Sequence, residues 1–259
     1  MDYENILLEK KDGYAIVTLN RPDKLNALSA KLGGELDDAI SHLETLDEIK
    51  AIIVTGAGDK AFCAGGDINE MLAGSEEEMR RRNARLHACA WHLATCKQPT
   101  IGVINGIAFG GGALDSSLFD IRFGCERTRF RFLAVTYGRL NATWSLPMQV
   151  GMPMAKELIY TGREVGAEEA FRIGLLNHLT PSKQLMAEAE SMAQTIAKND
   201  ANLVQGAKVL LHEGLAAGFR ERLDKEQEAL STKLKVRAAS EGFAWFAQRK
   251  GNGGRPAKK

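Results

Sequence analysis

Pro99-Thr-Ile-Gly-Val-Ile-Asn-Gly-Ile-Ala-Phe-Gly-Gly-Gly112 is the stretch whose reading decides the fold. Thr100 to Ile104 is a short apolar run of the kind that makes a buried strand, and Asn105-Gly106 turns the chain. Ile107-Ala-Phe109 follows, and Gly110-Gly111-Gly112 opens a helical stretch that ends before Asp120-Ile-Arg-Phe123. The same alternation runs upstream. Gly13 to Leu19 has strand composition and is broken at Arg21-Pro22-Asp23. Ser29 then caps a helix marked by Leu32, Leu36, Ala39, Ile40, Leu43 and Leu46. Ala51 to Thr55 is another buried-type strand, followed by a glycine-rich loop from Gly56 to Gly66 and by Asp67, a good N-cap for Ile68 to Met71. Met79, Asn83, Leu86, Ala90 and Leu93 mark one face of a long helix from Glu76 to Thr95. Strands alternating with helices predict an α/β fold with parallel β-α-β units.

From Met154 onward the signals are almost wholly helical, clearest over Ala167–Ile173, Gln184–Ala197, Asn202–His212 and Lys225–Ala239. The expected division is an α/β core over residues 1–195 and a helical C-terminal region over 196–259, with no low-complexity linker and no internal repeat.

The 259 residues are 44% hydrophobic and 26% charged, which excludes a disordered or fibrous chain. A net charge of +1 without a clustered basic face argues against nucleic-acid binding. Arg249-Lys250, Arg255 and Lys258-Lys259 read as a solvated end. The four cysteines form no CxxC pair and no zinc-ligand spacing, so no metal is expected. Reduced thiols, no charged-then-apolar leader and no apolar run of 18 residues give the expectation of a cytoplasmic protein that does not enter a membrane.

Gly56-Ala-Gly-Asp-Lys-Ala61 matches the dinucleotide pattern GxGxxA, but that pattern needs a helix to begin at once, and Phe62 to Gly66 intervene. Walker A, GxSxG and HExxH patterns are absent. The informative pair is Ala64-Gly65-Gly66-Asp67 and Gly110-Gly111-Gly112, each between a strand and a helix. Helix N-termini present unpaired N–H groups, and glycine lets a ligand approach the backbone. Two such termini aimed at one point would form an oxyanion hole. Spacing alone favours ordinary tight packing of glycines and leaves the choice open.

Lys24-Leu-Asn-Ala-Leu28, Ala61-Phe-Cys-Ala-Gly-Gly-Asp-Ile68 and the opening stretch resemble the enoyl-CoA hydratase/isomerase (crotonase) superfamily. So do Asp120-Ile-Arg122, Leu158-Ile-Tyr-Thr-Gly162 and Ala167 to His178, and the resemblance covers roughly residues 10 to 250. It implies a crotonase-like spiral of ββα units with a helical C-terminal region that assembles a homotrimer or hexamer. It also implies an acyl-CoA thioester substrate, coenzyme A arriving as part of that substrate and no separate cofactor. By position it makes Gly66 and Gly111 the two amide donors to a thioester enolate. Ala64, Asp67 and Ile68 would lie along the substrate edge, and Lys24, Leu25 and Ala27 where the family holds adenine and pantetheine. Asp67 also reads as a plain helix cap.

The same resemblance removes the usual proton chemistry. The family's hydratases use two glutamates, and here those positions fall on Leu114 and Ala134, neither of which moves a proton. Asp115, one place from Leu114, should point about 100° away on a helix. His87 stands where the aryl-CoA dehalogenase branch has an active-site histidine, while the residue type by itself favours a satisfied helix histidine. That branch's nucleophilic aspartate is replaced by Ala142, which argues against dehalogenation. Asn141 falls near the acid of the naphthoyl-CoA synthase branch; it can hold a carbonyl or a water but cannot act as a base. Thr143 and Trp144 would line the acyl pocket or pack in the core, and Tyr137 is a further pocket hydroxyl; Tyr160 reads as structural. Three expectations follow: an acyl-CoA enzyme with a non-standard base (a lyase or hydratase, an isomerase, or a C–C hydrolase), a catalytically silent acyl-CoA binder, or a partner-binding oligomer.

Overall fold

The repeating unit of the chain is a strand in one sheet, a strand in a second sheet, and a helix that returns to the first. It is seen in a computed structural model that describes residues 2–213 and, beyond them, 218, 220, 221, 224, 231 and 232. A hairpin of β1 (Ile6–Lys10) and β2 (Tyr14–Leu19) leads into α1 (Ala30–Glu44). Three turns of the spiral follow. The first is β3 (Ala51–Gly56), β4 (Ala61–Cys63), α2 (Ile68–Ala73) and α3 (Glu76–Thr95). The second is β5 (Thr100–Ile104), β6 (Ile107–Phe109) and α4 (Gly111–Ser116). The third is β7 (Ile121–Gly124), β8 (Arg129–Arg131) and α5 (Leu146–Thr161). Then come β9 (Val165–Gly166), α6 (Ala167–Arg172), β10 (His178–Leu179), α7 (Leu185–Ala197) and α8 (Ala201–Glu213).

The larger sheet runs β1-β2-β3-β5-β7-β10, parallel except for the β1–β2 hairpin, and the smaller runs β4-β6-β8-β9. β3 is buried at all six positions and β5 at all five, as expected of parallel strands covered on both faces. The main core fills the space between the two sheets and the helices, from Leu32, Leu36 and Ile40 of α1 to Leu93 of α3 and Leu158 of α5. A second, smaller core holds Tyr14, Ile53, Ile101 and Phe123 beneath Leu185, Ala189 and Ala193 of α7. The four thiols are unpaired and buried: Cys63, Cys89 and Cys96 in the main core, Cys125 in the smaller one.

The α/β fold and the elements expected between Ser29 and Phe123 are present. The Ser29 side chain accepts from Leu32 N and the Asp67 side chain from Asn69 N and Glu70 N. Three features differ. β1 carries no strand signal because its second, fourth and fifth residues face outward. The stretch after Met154 is not wholly helical, since β9 and β10 pair at sheet edges over only two residues each. α5 begins at Leu146 and is broken at Gly151, whose φ of 75° and ψ of 160° divide it into two helices. The structural repeat leaves no sequence repeat because its loops and helices differ in length. The helix expected over Lys225–Ala239 lies outside the described residues.

Candidate functional site

Two glycine-rich turns meet where β4 and β6 end side by side. β4 pairs with β6 in parallel, so the segments that follow, Ala64 to Gly66 and Gly110 to Gly111, leave the sheet together. Their backbones touch: a Cβ built on Gly65, which has φ +97°, would lie 2.7 Å from Phe109 O and 3.2 Å from Gly111 N. Only glycine permits that approach with that backbone. Gly110 (φ 54°, ψ −112°) makes the sharp turn that starts α4.

Which way the amides face follows from the pairing. Leu28 forms a parallel bridge with Gly66, in which Leu28 N donates to Gly65 O at 2.7 Å and Asp67 N to Leu28 O at 2.9 Å. Neighbours along an extended chain alternate, so the Gly66 N–H points away from Leu28 and towards Gly111. A Cβ on Gly111 would lie 3.7 Å from Gly66 N. Among the described residues neither the Gly66 nor the Gly111 amide donates a hydrogen bond. Two adjoining donors left open at the end of a sheet can stabilise one oxygen that gathers negative charge.

The surrounding side chains hold this backbone in place. Asn26, fully buried at φ 55°, accepts from Arg21 N and donates to Ala57 O and Ala61 O, fastening the Lys24–Leu28 segment to the glycine-rich loop. Ala64 N donates to Leu25 O at 3.0 Å. Arg82 of α3 is buried; its Nε meets Glu70 at 2.7 Å and its Nη2 donates to Leu28 O at 2.7 Å. The same Nη2 would lie 3.1 Å from a Cβ on Gly66. Asn141 Nδ2 donates to Gly110 O at 3.3 Å and so braces the turn before Gly111. Glu70 and Arg82 carried no sequence signal of this role, and Asn26 stood in the Lys24–Leu28 motif with no role assigned to it.

Asp67 caps α2 and pairs with Arg21 at 2.9 Å. Burial opposes its ionisation, but Arg21 and the Glu70 and Asn69 amides outweigh it and hold the carboxyl below its usual range. Ile68 is the first residue of α2 and half-buried. Lys24 and Leu25 are exposed, and Ala27 is half-buried with its carbonyl accepting from Arg21.

Leu114 is half-buried on α4 against the main core, and Ala134 begins a short 3-10 turn ending at Tyr137. Burial raises the Tyr137 hydroxyl above its usual range. Thr143 is exposed. Trp144 is 1% exposed and packs with its ring centroid 6.3 Å from that of Trp91, so it takes the core reading. His87 shares a stripe of α3 with Asn83 and Trp91, turned away from Leu86 and His92, which meet α1. It is half-buried, makes no hydrogen bond among the described residues, and burial lowers its pKa, so its imidazole is neutral at neutral pH. Among the described residues no three His, Cys, Asp or Glu side chains come together as a metal site, and no helix is long and apolar enough to cross a membrane.

A spiral of ββα units with two open amides at the ends of neighbouring strands defines a class. The family model for enoyl-CoA hydratase/isomerase matches residues 9–252. A short-chain-enoyl-CoA hydratase of Clostridium acetobutylicum is 34% identical over 96% of this chain and 97% of its own. A crotonyl-CoA hydratase of Syntrophomonas wolfei is 33% identical over the same shares, 96% and 97%. The crystal structure of an enoyl-CoA hydratase/isomerase from Xanthobacter autotrophicus Py2 superposes with a TM-score of 0.87 at 30% identity, covering 97% of this chain and 95% of that one. The chain belongs to the enoyl-CoA hydratase/isomerase family.

Proposed function

We propose that the protein is an acyl-CoA-processing enzyme that holds a thioester enolate between the Gly66 and Gly111 amides and moves protons without the family's two glutamates. The observation that carries this reading is the pair of adjoining, unengaged N–H groups. Charge on the thioester oxygen grows as the enolate forms, so donors fixed in advance favour the transition state over bound substrate. Removing one such donor costs about 10²–10³ in rate in other enzymes. Lys24, Leu25 and Ala27 would meet the coenzyme A part of the substrate, with Ala64, Asp67 and Ile68 along the thioester edge. The protein would work as a homotrimer or hexamer in the cytoplasm, which sedimentation and fractionation test.

Leu114 and Ala134 leave hydration without its standard acid and base, and His87 is the neutral, unengaged base offered in their place. General acid–base groups supply about 10²–10⁴ in rate, so crotonyl-CoA hydration should run at least about a hundredfold below an authentic hydratase. His87→Ala should abolish the turnover found in a panel of acyl-CoA thioesters while leaving their affinity unchanged. Near-normal crotonyl-CoA turnover, or a fully active His87→Ala variant, would overturn the proton assignment. Binding without turnover across the panel would make the protein a silent acyl-CoA binder.

A further inference from the structure

Asp115 is an acidic residue set into the interior with nothing to hold. Its carboxyl group makes no hydrogen bond and no ion pair among the described residues, although buried carboxyl groups are otherwise paired in proteins. Its surroundings are apolar or uncharged: Cys63 at the end of β4 and Cys89 of α3 are the ionisable groups that feel its charge, and burial holds both thiols un-ionised. β6, the other strand packed against α4, brings Ile107, Ala108 and Phe109 and no titratable group. Yet Asp115 keeps accessible surface while lying deep in the protein, so it faces a recess rather than sealed core. Such a placement lowers stability and gains no contact in return, which is the usual mark of a group kept for chemistry.

Its position on α4 says which chemistry. Asp115 is four residues after Gly111, and residues four apart on a helix share a face. That face looks at the other donor: the atoms around a Cβ on Gly111 are Leu28 Cδ1, Gly66 N and Gly65 Cα. Helical side chains lean towards the helix N-terminus, which is the end of α4 that carries the Gly111 amide. Leu114, at the glutamate position of the family resemblance, lies on the neighbouring face.

We propose that Asp115 is a catalytic residue that exchanges a proton with the acyl carbon next to the thioester carbonyl. Its carboxylate takes the proton from that carbon; the C–H electron pair becomes a carbon–carbon double bond, and the carbonyl pair moves to the oxygen held by Gly66 and Gly111. Reversal returns the proton from the Asp115 carboxylic acid and restores the thioester. Burial lifts the Asp115 pKa to about 7, where a carboxyl serves equally as base and acid at neutral pH. The assignment rests on the acyl-CoA reading above and adds its proton-transfer group at the α carbon.

The test is exchange of the α hydrogens of butyryl-CoA in deuterium oxide, followed by mass spectrometry, with binding measured by calorimetry. The wild-type protein should bind butyryl-CoA and incorporate deuterium, the rate rising with pH about a midpoint near 7. Asp115→Asn should bind within about threefold, exchange at least about a hundredfold more slowly and lose the pH-dependent limb. Asp115→Leu, which suits the apolar surroundings, should unfold at no lower temperature than wild type and show the same loss. Exchange at wild-type rates in either variant, or wild-type binding without any exchange, overturns the role of Asp115. Failure of the wild-type protein to bind butyryl-CoA overturns the acyl-CoA reading instead.

Discussion

Gly112→Ala tests whether the spacing of two backbone segments sets the chemistry. A Cβ at residue 112 would lie 2.2 Å from Cys63 O and 2.7 Å from Cys63 Cβ, against backbone that leads directly to Gly66. Real contacts of this kind lie beyond 3.0 Å, so α4 must retreat from β4 by about 1 Å. Gly111 is the adjoining residue and moves with it. A hydrogen bond of about 2.9 Å to the substrate oxygen would open to about 3.9 Å, too long to hold charge. The expected loss is that of one oxyanion donor, about 10²–10³ in the rate of α-hydrogen exchange on butyryl-CoA. Affinity for butyryl-CoA should change little, because the lost interaction strengthens only as the enolate forms. Overpacking should also cost about 1–3 kcal/mol, read as a fall of roughly 2–12 °C in unfolding temperature. Gly206→Ala in α8, where a Cβ meets nothing within 4 Å, is the control and should leave exchange intact. A Gly112→Ala protein with wild-type unfolding temperature and exchange within threefold of wild type would refute the reasoning.

His92 joins two helices when protonated, its Nδ1–H donating to Asp37 and its Nε2–H to Glu44 of α1 at 2.8 Å each. Burial works against its charge, but the two carboxylates outweigh it and raise its pKa, so its contribution is complete below the unfolded value near 6.5 and fades as pH rises through the folded one. Glu44 shifts the opposite way: burial is outweighed by His92 and the Lys97 amide, so its contribution holds above its unfolded value near 4.5 and is lost in acid. His92→Leu should therefore lower the unfolding temperature more at pH 5.5 than at pH 8.5, and an equal loss at both would contradict the pairing. Asn26→Ala removes three hydrogen bonds from a buried site and should cost roughly 2–3 kcal/mol in urea unfolding. A loss below about 0.5 kcal/mol would show that the loop is held by other contacts.

The strand–helix alternation could be read from Ser29 to Phe123 because each element there announces itself locally. Ser29 and Asp67 cap, Asn105-Gly106 turns, and β3 and β5 are buried on both faces, so their apolar runs are continuous. β9 and β10 announced nothing, being two residues long and paired only through the sheets that earlier strands had built. The glycine turns could be found, but their convergence could not: it depends on β4 lying beside β6, a contact between residues more than forty apart. The roles of Asn26 and Arg82 were hidden for a related reason, since each acts on backbone carbonyls that no pattern of side chains reveals. The direction of Asp115, about 100° from Leu114, could be read from helix geometry, but that this direction is the face of Gly111 and lies inside the protein could not.

The four thiols give the molecule a reporter of its own breathing. Each is shielded in the closed state, so an alkylating reagent can reach a sulfur only when the layer around it parts. Cys125 registers separation of α7 from the larger sheet, whereas Cys63, Cys89 and Cys96 register loosening of the main core, Cys89 and Cys96 at α3 and Cys63 at β4. Comparing their labelling rates, residue by residue, would therefore rank which layer opens first, with no foreign probe attached.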